Sequence, residues 1–369
     1  MDTLNHRWMR LLPPGPVLAL VGWMLVEVCV SLSHNVAPST AGLAIARQGV
    51  PLLLGAFACR LFARELTTLR GLGALLCWYL IVLGLAVFRY RTGGEVTAGG
   101  FSTPAAFGGF LALTLPFVLA GALVFRPAVV KTGFIALFVA GLLVSLDGPA
   151  HLGILIGALV LLAATVRPRA PLLPHATTAG RISIWALLIA LAALALWHHA
   201  VEPRTRRDNG FAHFDDYSVY EEDGTLRRRV ADEHALFSMG RENGFGGVGL
   251  GAAPLFIAQY YHDHSDPQGD PQLDQCGQFH LLYAECGLIG VLLFIAALAA
   301  PLARIGGSPL SPSATILRLA HVAAFAGFAV TCLSRPLLSG ATAALFGFLS
   351  ALESSPPAAP LARPFEEMV

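Results

Sequence analysis

The chain has 369 residues, of which 55% are hydrophobic and only 13% charged, with a formal net charge of +1 and a mean hydropathy of +0.66. Soluble domains carry about 25% charged residues, so this composition excludes a water-soluble globular surface, and the near-zero charge gives no ground for a nucleic-acid partner. The fold class it predicts is an all-α polytopic membrane protein, because each helix satisfies its own backbone in lipid.

A span needs about 20 largely apolar residues. In chain order the candidates fall at about 15–33, 42–62, 71–88, 104–125, 131–147, 149–166, 181–198, 278–300, 315–333 and 335–352, about ten transmembrane helices in all. The first follows basic residues, but further spans follow it and no small-residue cleavage site is evident, so it reads as a retained helix. Asp147-Gly148-Pro149 and Ser334-Arg335-Pro336 mark tight turns inside two closely joined pairs. Glu27 and Arg47 lie within the first two spans, where ionisable side chains are costly and usually paired or functional. Their helices are antiparallel neighbours, which makes a mutual ion pair the simplest expectation.

Charge in short loops sets orientation. Arg7, Arg10, Arg64, Arg70, Arg126, Lys131, Arg167, Arg169, Arg181 and Arg304 fall on one side, and mainly Arg89 and Arg91 on the other. Both termini are then cytoplasmic, in a multi-pass protein of the inner (plasma) membrane. Three regions follow: a membrane domain of seven helices over 1–198, one large extracytoplasmic loop over 199–277, and three helices with a tail over 278–369.

Idle connectors between helices run to about 2–8 residues, so a long loop of mixed charge reads as a working surface. The alternative is a disordered, solvated insert. The apolar patches FSM (237–239) and PLFIAQYY (254–261) argue that part of the loop packs back on the membrane domain. Six cysteines (Cys29, Cys59, Cys77, Cys276, Cys286, Cys332) show no CxxC spacing, which argues against a disulfide framework. The HDH of His262, Asp263 and His264 reads as solvated loop, so no metal site is assigned.

Within the loop, GFGGVGLG spans 244–251. A nucleotide cradle would need a strand–turn–helix context, and none is predicted here. Glycine's other uses fit better: close backbone approach to a ligand, or a tight turn. The stretch is expected to turn into a short interfacial helix whose Phe256, Tyr260 and Tyr261 suit the headgroup zone. Its backbone N–H groups could meet an anion as nests do, or its glycines could serve only tight packing.

MGRENGFGGVGLG (239–251) followed by AECGLIG (284–290) resembles the SEDS family, the FtsW/RodA/SpoVE-like cell-cycle membrane proteins of shape, elongation, division and sporulation. Arg47-Gln48, GGFSTPAAF (99–107) and PLLSGATAALFG (336–347) resemble further motifs of that family, and ten spans with a large loop after the seventh is its topology. The resemblance implies peptidoglycan synthesis in cell division or shape. The activity implied is a glycosyltransferase polymerising lipid II, a glycan precursor on undecaprenyl diphosphate, with a single-span transpeptidase as partner beside membrane lipid. The family's catalytic Asp aligns with Cys276, leaving Asp274, two residues away, as the substitute base. Arg241 is the candidate diphosphate contact, with Gly247, Gly249, Gly251, His280 and Glu285 lining the substrate. Glu285 could equally cap its own helix electrostatically, and His280 could be a packed interfacial side chain. A divalent cation could assist the leaving group. The family's fourth-span Glu and Lys fall on Ala106 and Gly109, and its fifth-span PD motif has only Asp147 or His151 nearby. O-antigen ligases and Wzy-type polymerases share GxGLG and AExGLIG, but their His-Asn pair would fall on Cys276-Gly277, and SLDGPAHLG lacks the Arg of their SRG motif. A SEDS-like scaffold without catalysis and a flippase complete the alternatives.

Overall fold

The computed structural model describes residues 15–62, 68–91, 101, 104–125, 127–144, 148–166, 224–261, 271, 273, 276–300, 312–338 and 340–353. Among them every regular element is helical and no strand occurs. The expected seventh span, Asp147, the HDH triplet and Asp274 lie outside the described residues.

The first expected span is α1 (Gly15–Ser33), an unbroken aliphatic run. The second is two helices, α2 (Pro38–Arg47) and α3 (Gly49–Phe62), which break at Gln48, where ψ is −62° and φ −110°. Pro38 opens α2 because its fixed φ and missing N–H suit a first helical turn. There follow α4 (Thr68–Arg91), α5 (Pro104–Val124), α6 (Ala128–Val144) and α7 (Gly148–Val166). Beyond the polar loop come α10 (Gln278–Ala299), α11 (Pro312–Cys332) and α12 (Gly340–Glu353). Five runs of helix are long and apolar enough to cross a membrane, with α2 and α3 counted as one run, and the other apolar stretches are shorter.

α5 is apolar all round and buried along nearly its whole length, as expected of a central helix. It packs against α6, α7 and α11. Helices gain little from hydrophobic exclusion when lipid replaces water, so close backbone approach and interhelical hydrogen bonds must hold them. Both occur. A Cβ on Gly327 of α11 would lie 2.5 Å from the Gly153 carbonyl of α7, and one on Gly157 would lie 2.7 Å from the Ala323 carbonyl. Glycines 55 and 347 bring α3 and α12 closer still. The Tyr79 hydroxyl of α4 donates to the Leu137 carbonyl of α6 at 2.6 Å.

Residues 224–261 contain an element that hydropathy did not predict. Between the membrane helices lies α8 (Gly224–Asn243), followed by the short α9 (Ala253–Phe256) and a 3-10 turn at Ile257–Tyr260. Ala235, Leu236 and Met239 of α8 are buried with Val36, Val248, Ala252, Ala253, Ile257, Cys276 and Ala284 in a second core against α10. A solvated insert is therefore the wrong description of this segment, and both apolar patches of the loop contribute to that core.

Candidate functional site

α10 is a broken helix. At Gly287 the backbone leaves helical values for φ 62° and ψ −168°, a conformation open to glycine and strained for other residues. The break strips helical partners from the carbonyls around it. In a membrane helix freed backbone groups must find other partners, and here the glycine stretch supplies two. The Val248 N–H donates to the Ala284 carbonyl at 2.9 Å, and the Gly249 N–H to the Glu285 carbonyl at 3.0 Å. Trp23 of α1 supplies the third, its indole N–H donating to the Cys286 carbonyl at 2.9 Å. In return the Leu288 N–H points to the Gly244 carbonyl at 3.5 Å.

The same stretch is bound to α1. The Leu250 N–H donates to the Glu27 carbonyl at 3.3 Å, and the Ser31 hydroxyl donates to the Leu250 carbonyl at 2.9 Å. Gly249 has φ 103°, and a Cβ there would overlap the backbone and side chain of Ser31. Both facts require glycine. A Cβ on Gly247 would crowd the Glu285–Gly287 backbone, and one on Gly251 would lie 2.7 Å from the Ala44 side chain of α2.

Glu285 is buried, and its carboxylate accepts the backbone N–H groups of Gly251 and Ala253. It therefore caps the first turn of α9, where a carboxylate is favoured, not its own helix as the sequence suggested. With Ala252 donating to Gly249, every N–H from Val248 to Ala253 is engaged by a protein acceptor. Of the two roles open to these glycines, this arrangement matches tight packing, and it leaves none of those six N–H groups for an anion.

The other expected residues are distributed around this junction. Arg241 is exposed on the last turn of α8. Cys276 is fully buried in the second core, close enough to the Tyr261 phenol to act on it electrostatically. His280 is half-buried on the first turn of α10, its Nδ1 without a hydrogen-bond partner among the described residues. The expected Glu27–Arg47 pair is not formed: Arg47 is exposed, whereas Glu27 is fully buried with neither carboxylate oxygen hydrogen-bonded. Among the described residues no group of three His, Cys, Asp or Glu side chains could hold a metal ion.

Hydrogen bonds fix the surrounding loop. Tyr261 donates its hydroxyl to the buried Asp232 of α8. Burial first, and then that carboxylate, hold the Tyr261 phenol well above its ordinary ionisation range. Asn243 bridges the Met239 carbonyl at 2.8 Å and the Tyr260 hydroxyl at 3.0 Å. At the start of α10, Gln278 accepts the Leu338 N–H at 2.9 Å and donates its own N–H to the Arg335 carbonyl at 3.2 Å. Thr342 of α12 donates to the Ala106 carbonyl of α5 at 3.0 Å. Arg335, Leu338 and Thr342 are thus bonded to the entries of α10 and α5. Sequence reasoning missed Trp23, Ser31, Asp232 and Gln278. A lone Trp in an aliphatic span was the one visible signal.

The arrangement offers an exposed cationic side chain, Arg241, just before a loop clamped to a broken helix. Compared with family models and with curated proteins, the chain matches none.

Proposed function

We propose that this protein is a divergent SEDS-like membrane glycosyltransferase that extends glycan strands from lipid II at the outer face of the inner membrane, with both termini cytoplasmic and a single-span transpeptidase as partner. One observation carries the reading. The segments that bear the resemblance, far apart in sequence, meet in space: GVGLG is hydrogen-bonded into the break of AECGLIG, and the TPAAF segment is bonded to PLLSGAT through Ala106 and Thr342.

The chemistry asks an acceptor sugar hydroxyl to give its proton to a carboxylate and attack the anomeric carbon. The bond to the lipid diphosphate breaks, and the leaving charge needs a cation. Asp274 is assigned as the base and Arg241 as the diphosphate contact, the guanidinium fork being suited to phosphate oxygens. The glycine stretch positions Arg241 and the loop, and Glu285 positions α9.

A second reading is favoured by Cys276. A fully buried thiol cannot act as an acid or base for a sugar at the surface, which suits a SEDS-like scaffold without catalysis. Purified full-length chain given lipid II, with and without the transpeptidase, separates the two. The enzyme reading expects polymer that Asp274→Ala abolishes and Asp263→Ala does not. If wild type yields no polymer under either condition, and alanine at Asp274, Cys276 and Arg241 rescues a deletion phenotype as well as wild type does, the scaffold reading stands instead. Transfer of an undecaprenyl-diphosphate glycan to another acceptor, without polymer, would point to the O-antigen ligase alternative.

A further inference from the structure

Glu27 presents an unresolved charge in the interior. It is fully buried in α1, and both of its carboxylate oxygens lack a hydrogen-bond partner. Burying a carboxylate without a partner is strongly unfavourable. No described basic side chain forms an ion pair with it. Several donors of this region are engaged elsewhere: Val248, Gly249 and Leu250 N–H on backbone carbonyls, Gly251 and Ala253 N–H on Glu285, the Trp23 indole on Cys286, and the Ser31 hydroxyl on backbone carbonyls. Among the described residues, the buried side-chain oxygens without partners are those of Glu27 and Oε1 of Gln48, the residue at which α2 and α3 break. All are acceptors.

Gly246 supplies the second observation. It has no positive φ, and a Cβ there would meet nothing within 4 Å except Glu27 Oε1, at 3.8 Å. Neither backbone conformation nor close packing explains a glycine at this position, in contrast to Gly247, Gly249 and Gly251. What its missing side chain leaves open is the space beside the carboxylate.

We propose that Glu27 binds a monovalent cation, of the sodium class, beside Gly246 at the break in α10. A carboxylate is a hard oxygen ligand and favours a hard cation. One uncommitted carboxylate balances one charge, since Glu285 is already engaged by two N–H groups. Broken membrane helices are places where unwound backbone carbonyls coordinate such ions. The ion would pin α1, the glycine stretch and α10 together, independently of whether the chain transfers sugars.

Thermal unfolding of the full-length protein in detergent tests this, with sodium chloride titrated against choline chloride at constant ionic strength, alongside direct binding of radioactive sodium ion. Wild type should gain several degrees of Tm with saturation in sodium, because a ligand bound only by the folded state stabilises it by mass action. Choline should give no gain. Glu27→Gln should lose the sodium response and the bound radioactivity. Gly246→Ala, which introduces no clash, should fold and lose both as well. A wild-type Tm that follows ionic strength whatever the cation, a response to pH but none to sodium, or a sodium response retained in Glu27→Gln would each overturn the proposal, and the wild-type measurements decide even where a variant fails to fold.

Discussion

Gly249 condenses the local argument to one residue. Its φ of 103° and the overlap that any Cβ would have with Ser31 mean that Gly249→Ala must move either the loop or α1. Strain of this kind costs about 1–3 kcal/mol per residue before any clash is counted. The variant should therefore unfold at lower temperature in detergent, with weakened protection of the Val248–Leu250 amides in hydrogen exchange. A stable variant that has lost only binding of lipid-linked donor would instead restore the anion-cradle role. Tyr261 makes a complementary case. Its hydroxyl is hydrogen-bonded to buried Asp232, and hydrogen bonds to charged groups contribute about 1.5–3 kcal/mol, so Tyr261→Phe should lower stability by that order. The sign with pH follows from the raised ionisation of Tyr261. Its contribution is complete below the unfolded phenol value of about 10, and declines as pH rises through the window between the unfolded and folded values. Wild type should lose stability at alkaline pH more steeply than Tyr261→Phe. Equal slopes would show that this hydrogen bond is of no consequence.

At the level of helices, close packing makes an equally concrete prediction. Gly153→Ala places a methyl against Gly327 and Thr331, whereas Gly133→Ala on α6 meets nothing within 4 Å. The first should lower Tm and yield of folded protein. The second should be neutral or slightly stabilising, because alanine is the better helix former. Similar behaviour of the two would contradict the packing of α7 on α11. Helices were legible in sequence where hydropathy alone decides: α1 coincides with the expected span at 15–33. They were less legible where it does not. The second span starts at Pro38, earlier than its apolar run suggests, and breaks at Gln48. The break at Gly287 was invisible because hydropathy runs unchanged through GLIG, while the cause lies in partners some forty residues upstream. α8 was missed since its charged residues outweigh its narrow apolar stripe of Ala235, Leu236 and Met239. Glu285 shows the same limit for a site residue. Its acidity at a helix start was legible, but which helix it caps depends on a loop that returns from another part of the chain.

For the whole molecule, the proposed function requires that one end of the helical bundle, where the glycine stretch, α8 and the entry of α10 meet, receives a lipid-linked diphosphate beside Arg241. Composition pointed to a membrane protein, and five helical runs long and apolar enough to cross a membrane agree with that. The convergence of distant motifs could not be read from composition or periodicity, because it consists of backbone hydrogen bonds between segments with no local relation. Binding of the donor tests this claim most directly. Native mass spectrometry of the full-length protein with lipid II, competed by undecaprenyl diphosphate and by undecaprenyl monophosphate, should show a complex that the diphosphate displaces more readily than the monophosphate. Arg241→Ala should weaken it by about tenfold or more, the order expected for losing a charged hydrogen-bond partner. No complex with wild type, or equal affinity in wild type and Arg241→Ala, would contradict the account.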